Sequence, residues 1–356
     1  MRVGRWLLLV LIMLVAVRLA LPWAVESYVN RKLNAAKEYG GRIGDVSMQL
    51  WHGGYRIYHI EIFKRSGAIH TPFFAAKEME LSVEWRELFH GSVVGEAILH
   101  QPRLNFVVGP TEAETQNGKE VAWDKMFESL FPFKFNRVEV ANGEIHFQDP
   151  HSTPSVDIYT SQISAIATNL TNARAKSEKL PSTLRAQATT LGGGRLDLDL
   201  KMNVMKPMPA FELNCGLTNV NLTSLNSFLR AYGKFDVERG DFALFTSIAG
   251  NEGKYEGYFK VFFNDLDVFE WQKERKKNVL EVFWQAVVGS VTQIFKNHSK
   301  DQLATKVPVT GSYNGSSVGV WTTVTTILQN AFVHALTPKL DEHVNVEKVE
   351  QDTGKK

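Results

Sequence analysis

The sequence predicts a mainly β protein: an elongated antiparallel sheet curled into a trough, preceded by a transmembrane helix and followed by C-terminal amphipathic helices. Three observations support this prediction. Apolar and polar residues alternate with a period of two through most of the chain after residue 30, the first 25 residues are mostly apolar, and two late segments have helical periodicity. Because two helices cannot cover so long an apolar sheet face, we expect the sheet to curve on itself.

The N-terminal segment predicts a single membrane-spanning helix. As a helix, Trp6 to Val25 would rise about 30 Å, which matches a bilayer core, although Arg18 interrupts the apolar run. Trp6 and Trp23 lie near its two ends, where interfacial aromatic residues are found. A cleaved signal peptide is the alternative, but no A-x-A cleavage site follows. We predict an uncleaved anchor over residues 1–27, with the bulk of the protein on the far side of the membrane.

Alternating segments predict the strands of the body. Asn142-Gly143 lies between two alternating runs and predicts a β-hairpin, because both residues tolerate positive φ. Residues 240–265 predict a second hairpin. The sequence LGGGR (191–195) precedes an alternating run rather than a helix, so it predicts a turn and not a phosphate loop. The alternating runs are 46–50, 79–85, 104–108, 137–149, 196–204, 211–217 and 242–263.

Helical segments are few, and no break in composition marks a second domain. We predict one β-rich domain over residues 28–340 and a disordered polar tail over residues 341–356. The predicted helices are Asn30–Tyr39, Trp123–Leu130, and two amphipathic segments at 277–296 and 321–336.

Charge and cysteine content exclude several classes of protein. The formal charge of +2 includes three arginines in the N-terminal apolar segment, and the remaining 37 basic and 38 acidic residues give a net charge of −1. A nucleic-acid-binding protein needs a clear basic surplus, so we predict no nucleic-acid partner. The single cysteine, Cys215, excludes a disulfide framework and a cysteine-rich metal site, and we expect it to be a small strand residue.

No motif predicts catalysis, a metal or a cofactor. None of the 10 histidines lies in an H-E-x-x-H helix or a similar ligand spacing. His146, Asp149 and His151 form the densest group of potential ligands, but the interpretation we favour is a strand end whose polar residues face solvent. We therefore predict a protein that is not an enzyme and holds no cofactor.

A basic run precedes the first amphipathic segment and has two interpretations. Cations at a helix N-terminus oppose the helix dipole at a cost of a few tenths of a kcal/mol each. Contact with anionic lipid headgroups would give them a function, whereas a solvated turn before the helix, which we favour, would not. The residues are Lys273, Arg275, Lys276 and Lys277.

Several stretches together resemble the AsmA-like family, specifically its short branch catalogued as a domain of unknown function, a relative of AsmA and TamB. They include VNRKL, GRIGDVSMQLWHGGYRIYHIEIFKR, FFAAKEMELSVEWRELFHGSVVGEAILHQPRLNFV and RVEVANGEIHFQDP, and their order along an anchored chain carries the resemblance. The resemblance implies a Gram-negative inner-membrane anchor, a periplasmic β-rich body and a role in moving phospholipid toward the outer membrane. It implies no catalytic residues, and so short a trough would need other envelope proteins to complete a bridge.

The predicted function is phospholipid binding and transfer between the inner and outer membranes, with acyl chains held on the apolar face of the sheet. The same apolar residues would otherwise pack against one another as a closed sandwich core. A different function, assembly of outer-membrane proteins at an open sheet edge, is the alternative. The predicted lipid-groove residues are Leu104, Phe106, Val140, Ile145, Phe147, Leu198, Leu200, Met202, Phe259 and Val261.

Overall fold

A computed structural model gives the architecture of the chain. It describes residues 2–35, 37–49, 54–66, 69–83, 94–118, 134–170, 180–203, 210–233, 235–268 and 302–312. Of these residues, 60% lie in strands and 17% in helices, so the prediction of a mainly β protein is confirmed.

In the described part of the chain, one long helix precedes a single sheet of 14 strands. The elements are α1 (Arg2–Leu33), β1 (Tyr39–Arg42), β2 (Val46–Gln49), β3 (Gly54–Lys64), β4 (Phe74–Val83), β5 (Val94–His100), β6 (Arg103–Val107), β7 (Lys134–Asp149), β8 (Val156–Thr168), β9 (Ser182–Thr190), β10 (Arg195–Met202), β11 (Phe211–Asn221), β12 (Val237–Asn251), β13 (Lys254–Val268) and β14 (Gln302–Ser312).

The sheet is mixed, so the prediction of a wholly antiparallel sheet is wrong. From β7 to β14 each strand pairs antiparallel with its neighbour in the chain. β5 and β6, however, both run parallel to β7. Only Gln101 and Pro102 separate these two strands, and Gln101 takes φ 50°. The two strands therefore act as one interrupted strand, and the chain must cross back before it can enter β7 in parallel.

The hairpin predicted at Asn142-Gly143 is also wrong, because β7 continues through both residues as one strand of 16 residues. Asn142 takes φ 56°, and the pairing with β8 shifts by one residue between Val140 and Gly143. A left-handed Asn beside a Gly thus forms a β-bulge rather than a turn. Space explains the glycine: a Cβ there would lie 2.9 Å from Cγ1 of Val140.

A second bulge compensates for the first. In β8, Gln162 takes φ 52°, and the register shifts back between Gly143 and Ile145. From Val140 to Ile145 and from their partners Ala165 to Thr160, both strands therefore advance by the same number of residues. Since an uncompensated slip would move the rest of the strand to the opposite face, the two bulges together preserve the face on each side.

Helix α1 is long enough and apolar enough, over Leu11–Leu33, to cross a membrane. It includes the predicted span but continues to Leu33, so the separate helix predicted from Asn30 to Tyr39 is wrong. Its last turn is fixed to β1 and the loop after it: Oδ1 of Asn30 accepts the backbone N–H of Ile43 at 2.7 Å, and Nδ2 of Asn34 donates to the carbonyl of Gly41 at 2.7 Å. The last helical turn thus docks onto the sheet.

Other predictions have mixed outcomes. The second predicted hairpin is confirmed, with Glu252 and Gly253 as the left-handed residues between β12 and β13. LGGGR does form the turn between β9 and β10. The predicted helices at Trp123–Leu130, 277–296 and 321–336, and the predicted polar tail, lie outside the described residues.

The bulge in β7 gives a test of stability. We expect Asn142→Val to lower the free energy of unfolding by about 1–2 kcal/mol, because a β-branched residue is strained at this positive φ. Asn142→Gly, the matched control, should be neutral or slightly stabilising. Urea unfolding of the full chain in detergent micelles, followed by tryptophan fluorescence, measures the difference. Equal stability of the valine and glycine variants would contradict the bulge geometry.

Candidate functional site

One face of the sheet is apolar across eleven strands, and cross-strand register defines it. Directly paired residues point to the same face of a sheet, so consecutive pairs trace a row of neighbouring side chains. The first row is Val46, Ile57, Met79, Leu99, Val140, Ala165, Ala186, Leu198, Cys215, Thr246 and Phe259. Only Thr246 in this row carries a hydroxyl group. We call the surface that contains it the apolar face.

A second row runs beside the first, two residues along each strand. It consists of Met48, Tyr55, Leu81, Ala97, Val138, Ala167, Leu184, Leu200, Leu213, Ile248 and Gly257. At about 4.8 Å per strand, the ten steps of each row extend about 48 Å. Two such rows, with no charged side chain, form a continuous apolar path across the sheet.

All ten predicted lipid-groove residues lie on the apolar face. Val140, Leu198 and Phe259 belong to the first row and Leu200 to the second. The other six occupy neighbouring positions of the same face: Leu104 and Phe106 pair with Ile145 and Phe147, Met202 pairs with Phe211, and Val261 pairs with Leu244. The structure places these residues along strands β6 to β13 rather than in one compact cluster.

Burial divides the ten residues into two groups. Half-buried side chains are Leu104, Val140, Ile145, Leu198 and Phe259, whereas buried ones are Phe106, Phe147, Leu200, Met202 and Val261. Leu200 is only 2% exposed, so a charge there would disrupt packing rather than report on binding. The half-buried members, together with the half-buried Ala186, Cys215 and Thr246, are therefore the surface that a ligand can reach.

A helical insert between β11 and β12 covers one end of the apolar face. This insert, residues 222–233, begins at Asn221, whose Oδ1 accepts the backbone N–H of Thr223 at 2.9 Å as an N-cap. Its buried apolar side chains, Leu222, Phe228 and Leu229, belong to the same buried core as Val220, Phe242 and Phe263 of β11 to β13. The insert was not predicted, although the capping Asn221 and the spacing of Leu222, Leu225, Phe228 and Leu229 were available signals.

The insert also reaches back to β7 and β8. Its central turn contacts β8, and the hydroxyl of Tyr232 donates a 2.5 Å hydrogen bond to Oδ2 of Asp149 at the end of β7. Oδ1 of Asp149 accepts the backbone N–H groups of His151 and Ser152 at 3.0 and 3.1 Å. Asp149 thus links the β7–β8 turn to the insert.

Ionisable hydroxyl and thiol groups on and beside the apolar face remain neutral at ordinary pH. Burial raises the pKa of Tyr55 to about 12 and, with the charge of Asp197, raises the pKa of the Cys215 thiol to about 11. Burial and the hydrogen bond to Asp149 raise the pKa of Tyr232 as well. These three groups are therefore protonated at pH 7 and are not activated nucleophiles.

The opposite face, here called the outer face, carries ion pairs along the same strands. Arg185 pairs with Asp199 between β9 and β10 at 3.1 Å, and Arg103 pairs with Glu144 between β6 and β7. Hydrogen bonding from Arg195 lowers the pKa of Asp197. Because these pairs are largely exposed, each contributes little to stability, and their main effect is a solvated surface.

One group on the outer face has the composition of a metal site. Glu78, Glu80 and His100 hold potential ligand atoms within 4.8 Å of one another. Arg56, however, already pairs with both carboxylates, at 3.3 Å to Glu78 and 3.4 Å to Glu80. A hydrogen bond to Tyr58 and the charge of Glu80 raise the pKa of Arg56. The guanidinium therefore offsets one of the two carboxylate charges without a metal ion.

The potential ligands His146, Asp149 and His151 do not lie together in the structure. Nδ1 of His146 lies 2.9 Å from Oδ1 of Asp157 on the outer face, away from Asp149, and only the backbone of His151 binds Asp149. These three residues thus do not converge on one site. The basic run Lys273, Arg275, Lys276 and Lys277 lies outside the described residues.

Cys215 offers a measurement on the apolar face itself. We expect its alkylation by iodoacetamide at pH 8 to be roughly a hundredfold slower than that of an unperturbed thiol, because the thiolate reacts and a pKa of about 11 leaves little of it. The rate should rise about tenfold per pH unit up to about pH 10. A plateau near pH 9 would show that the thiol is not desolvated.

No protein-family model matches the chain, and no curated protein matches its sequence. The resemblance to the AsmA-like family therefore stays a prediction.

Proposed function

We propose that the protein is a membrane-anchored lipid-binding and transfer protein of the AsmA-like type, with no enzymatic activity. In this proposal phospholipid acyl chains lie on the apolar face, and the protein contributes to phospholipid transport from the inner to the outer membrane of a Gram-negative envelope. The observation that carries the proposal is the pair of apolar rows, which extend through eleven strands without a charged side chain.

The distribution of burial supports a ligand-binding face. Side chains of the first row on β8 to β13 are half-buried, including Leu198 and Phe259, although they belong to the same apolar surface as buried residues nearer α1. An apolar surface that stays partly accessible gains free energy by taking up hydrocarbon, at about 0.8 kcal/mol per buried CH₂ group. Acyl chains need no specific polar partner, which fits a face that offers almost none.

A curved sheet is part of the proposal, and the irregular backbone positions of the strands support it. Bulges bend the strands that carry them, as at Asn142 on β7 and Gln162 on β8. Left-handed residues also lie at His59 on β3 and at Gln101 between β5 and β6. We infer that the apolar face is the concave side of a trough.

The exposed apolar surface of α1 supports the proposed location of the protein in a membrane. Exposed apolar side chains along α1, including Trp6, Leu19 and Trp23, have nothing in the described sheet to cover them. A bilayer would bury them. With the N-terminus inside, the sheet would lie in the periplasm, next to the phospholipid that it is proposed to carry.

Photo-crosslinking in intact cells tests the proposal with the full chain. We expect a photoreactive phenylalanine analogue, p-benzoylphenylalanine, to form covalent phospholipid adducts when it replaces Phe259 on the apolar face. The matched control replaces Phe262, which lies on the outer face of the same strand. Mass spectrometry of the protein purified after irradiation identifies the adducts.

The alternatives give different outcomes in the same experiment. Protein adducts at position 259, with no lipid, would favour the assembly of outer-membrane proteins, and no adduct at all would indicate a closed core. Equal lipid labelling at positions 259 and 262 would show mere proximity to a bilayer and would contradict the proposal.

A charge on the half-buried part of the face gives a second test. We expect Leu198→Asp to reduce lipid adducts at position 259 about tenfold or more, because the carboxylate must stay hydrated where an acyl chain would lie. Asp199→Asn, the next residue and on the outer face, should leave the yield unchanged. Retained near-ultraviolet circular dichroism of Leu198→Asp shows that the fold survives; undiminished adducts in the folded variant would refute a binding role for this position.

A further inference from the structure

The insert divides the apolar face into a covered and an uncovered part. On β11 and β12, Val220 and Phe242 belong to the same buried core as Leu222 and Phe228 of the insert, and they are 3% and 6% exposed. Farther along the same strands, Cys215 and Thr246 are half-buried and lie outside that cluster. A ligand bound on the uncovered part would contact the insert at the boundary between these two regions.

The insert is joined to the sheet at a base where both strands are irregular. In β11 the register shifts between Leu217 and Val220, where Asn219 takes φ 57°, and in β12 Gly240 takes φ 141°. At this base the Asn226 side chain bonds to both the N–H and the carbonyl of Val237, each at 2.8 Å. These two bonds hold the insert to the start of β12, while the irregular positions in both strands can absorb a change in backbone angle.

The far end of the insert is held by a different kind of contact. Tyr232 donates to Oδ2 of Asp149, which is 7% exposed, and Phe228 packs against the Tyr232 ring at a centroid distance of 5.0 Å. The position of the Asp149 carboxylate does not depend on the insert, since its Oδ1 accepts two backbone N–H groups of its own turn. Release of Tyr232 would thus leave the β7–β8 turn intact.

We propose that the insert is a hinged cover over the end of the apolar face, that the Tyr232–Asp149 hydrogen bond latches it in addition to the core packing of Phe228 and Leu229, and that its opening exposes Val220 and Phe242 to acyl chains. The proposal rests on the proposed lipid-binding function for its purpose, but the opening itself is a property of the chain alone. In the shut state the insert limits how far a ligand extends along β11 and β12.

Two thiols placed on the same strand test the opening without any lipid readout. One is the native Cys215 on the uncovered part, and the other is Val220→Cys in a Cys215→Ser background, beneath the insert. In membranes containing the full chain, we expect Tyr232→Phe to raise the rate of maleimide labelling of the Val220→Cys thiol about tenfold, because a hydrogen bond to a charged group is lost. The same change should leave labelling of Cys215 within about twofold.

One further variant is a control and another is a second test. The control, Arg230→Gln, removes an exposed ion pair to Asp236 in the same connection and should leave both labelling rates unchanged. Asp149→Asn weakens the latch from the other side while retaining the carbonyl acceptor for the turn, and it should raise labelling of the Val220→Cys thiol as Tyr232→Phe does.

Three results would overturn the hinged cover. They are no change in the Val220→Cys rate, no labelling of that thiol in any variant, and an equal rise at Cys215, which would mean that the whole sheet loosens. Failure of the lipid proposal looks different: labelling would follow the expected pattern while no lipid adduct forms at position 259.

Discussion

The structure depends on one constraint: the apolar residues of successive strands must stay on the same face. Side chains alternate at every residue, so an extra residue in one strand moves everything beyond it to the other side of the sheet. The protein meets this constraint with paired irregularities. Asn142 adds a residue to β7, Gln162 adds one to β8, and the pairing of Ile145 with Thr160 is restored. The break at Gln101 between β5 and β6 lies beside the same point of β7.

Sequence patterns predicted the faces well and the connections poorly. Alternation placed Leu198, Phe259 and the other candidate residues on one face, because period two depends only on local geometry. It could not predict that β5 and β6 run parallel to β7, since parallel pairing is decided by the crossover and not by the strands themselves. The hairpin predicted at Asn142-Gly143 was wrong for a related reason. The dipeptide allows positive φ, but the neighbouring strands determine whether the chain forms a turn or a bulge there.

The candidate site was predictable as a surface but not as a set of accessible residues. Leu198 and Leu200 are equivalent in the sequence pattern, yet only Leu198 remains half-buried. Accessibility depends on what covers each position, and the insert that covers Val220 and Phe242 comes from a connection whose helical character was overlooked. Contacts that join distant segments, such as Tyr232 with Asp149 across 83 residues, leave no periodic signal at all.

Neighbour-to-neighbour pairing from β7 onward has a consequence for how the chain is made. Each of these strands finds its partner in the segment synthesised just before it, so the sheet can grow at its C-terminal edge as the chain is synthesised. Before β7, some strands must wait for a partner that is made later: β1 pairs with β3, and β5 pairs with β7 across the crossover. During that growth the newest strand presents unpaired backbone groups and an apolar surface together, and this leading edge is where we expect a nascent chain to need protection from aggregation.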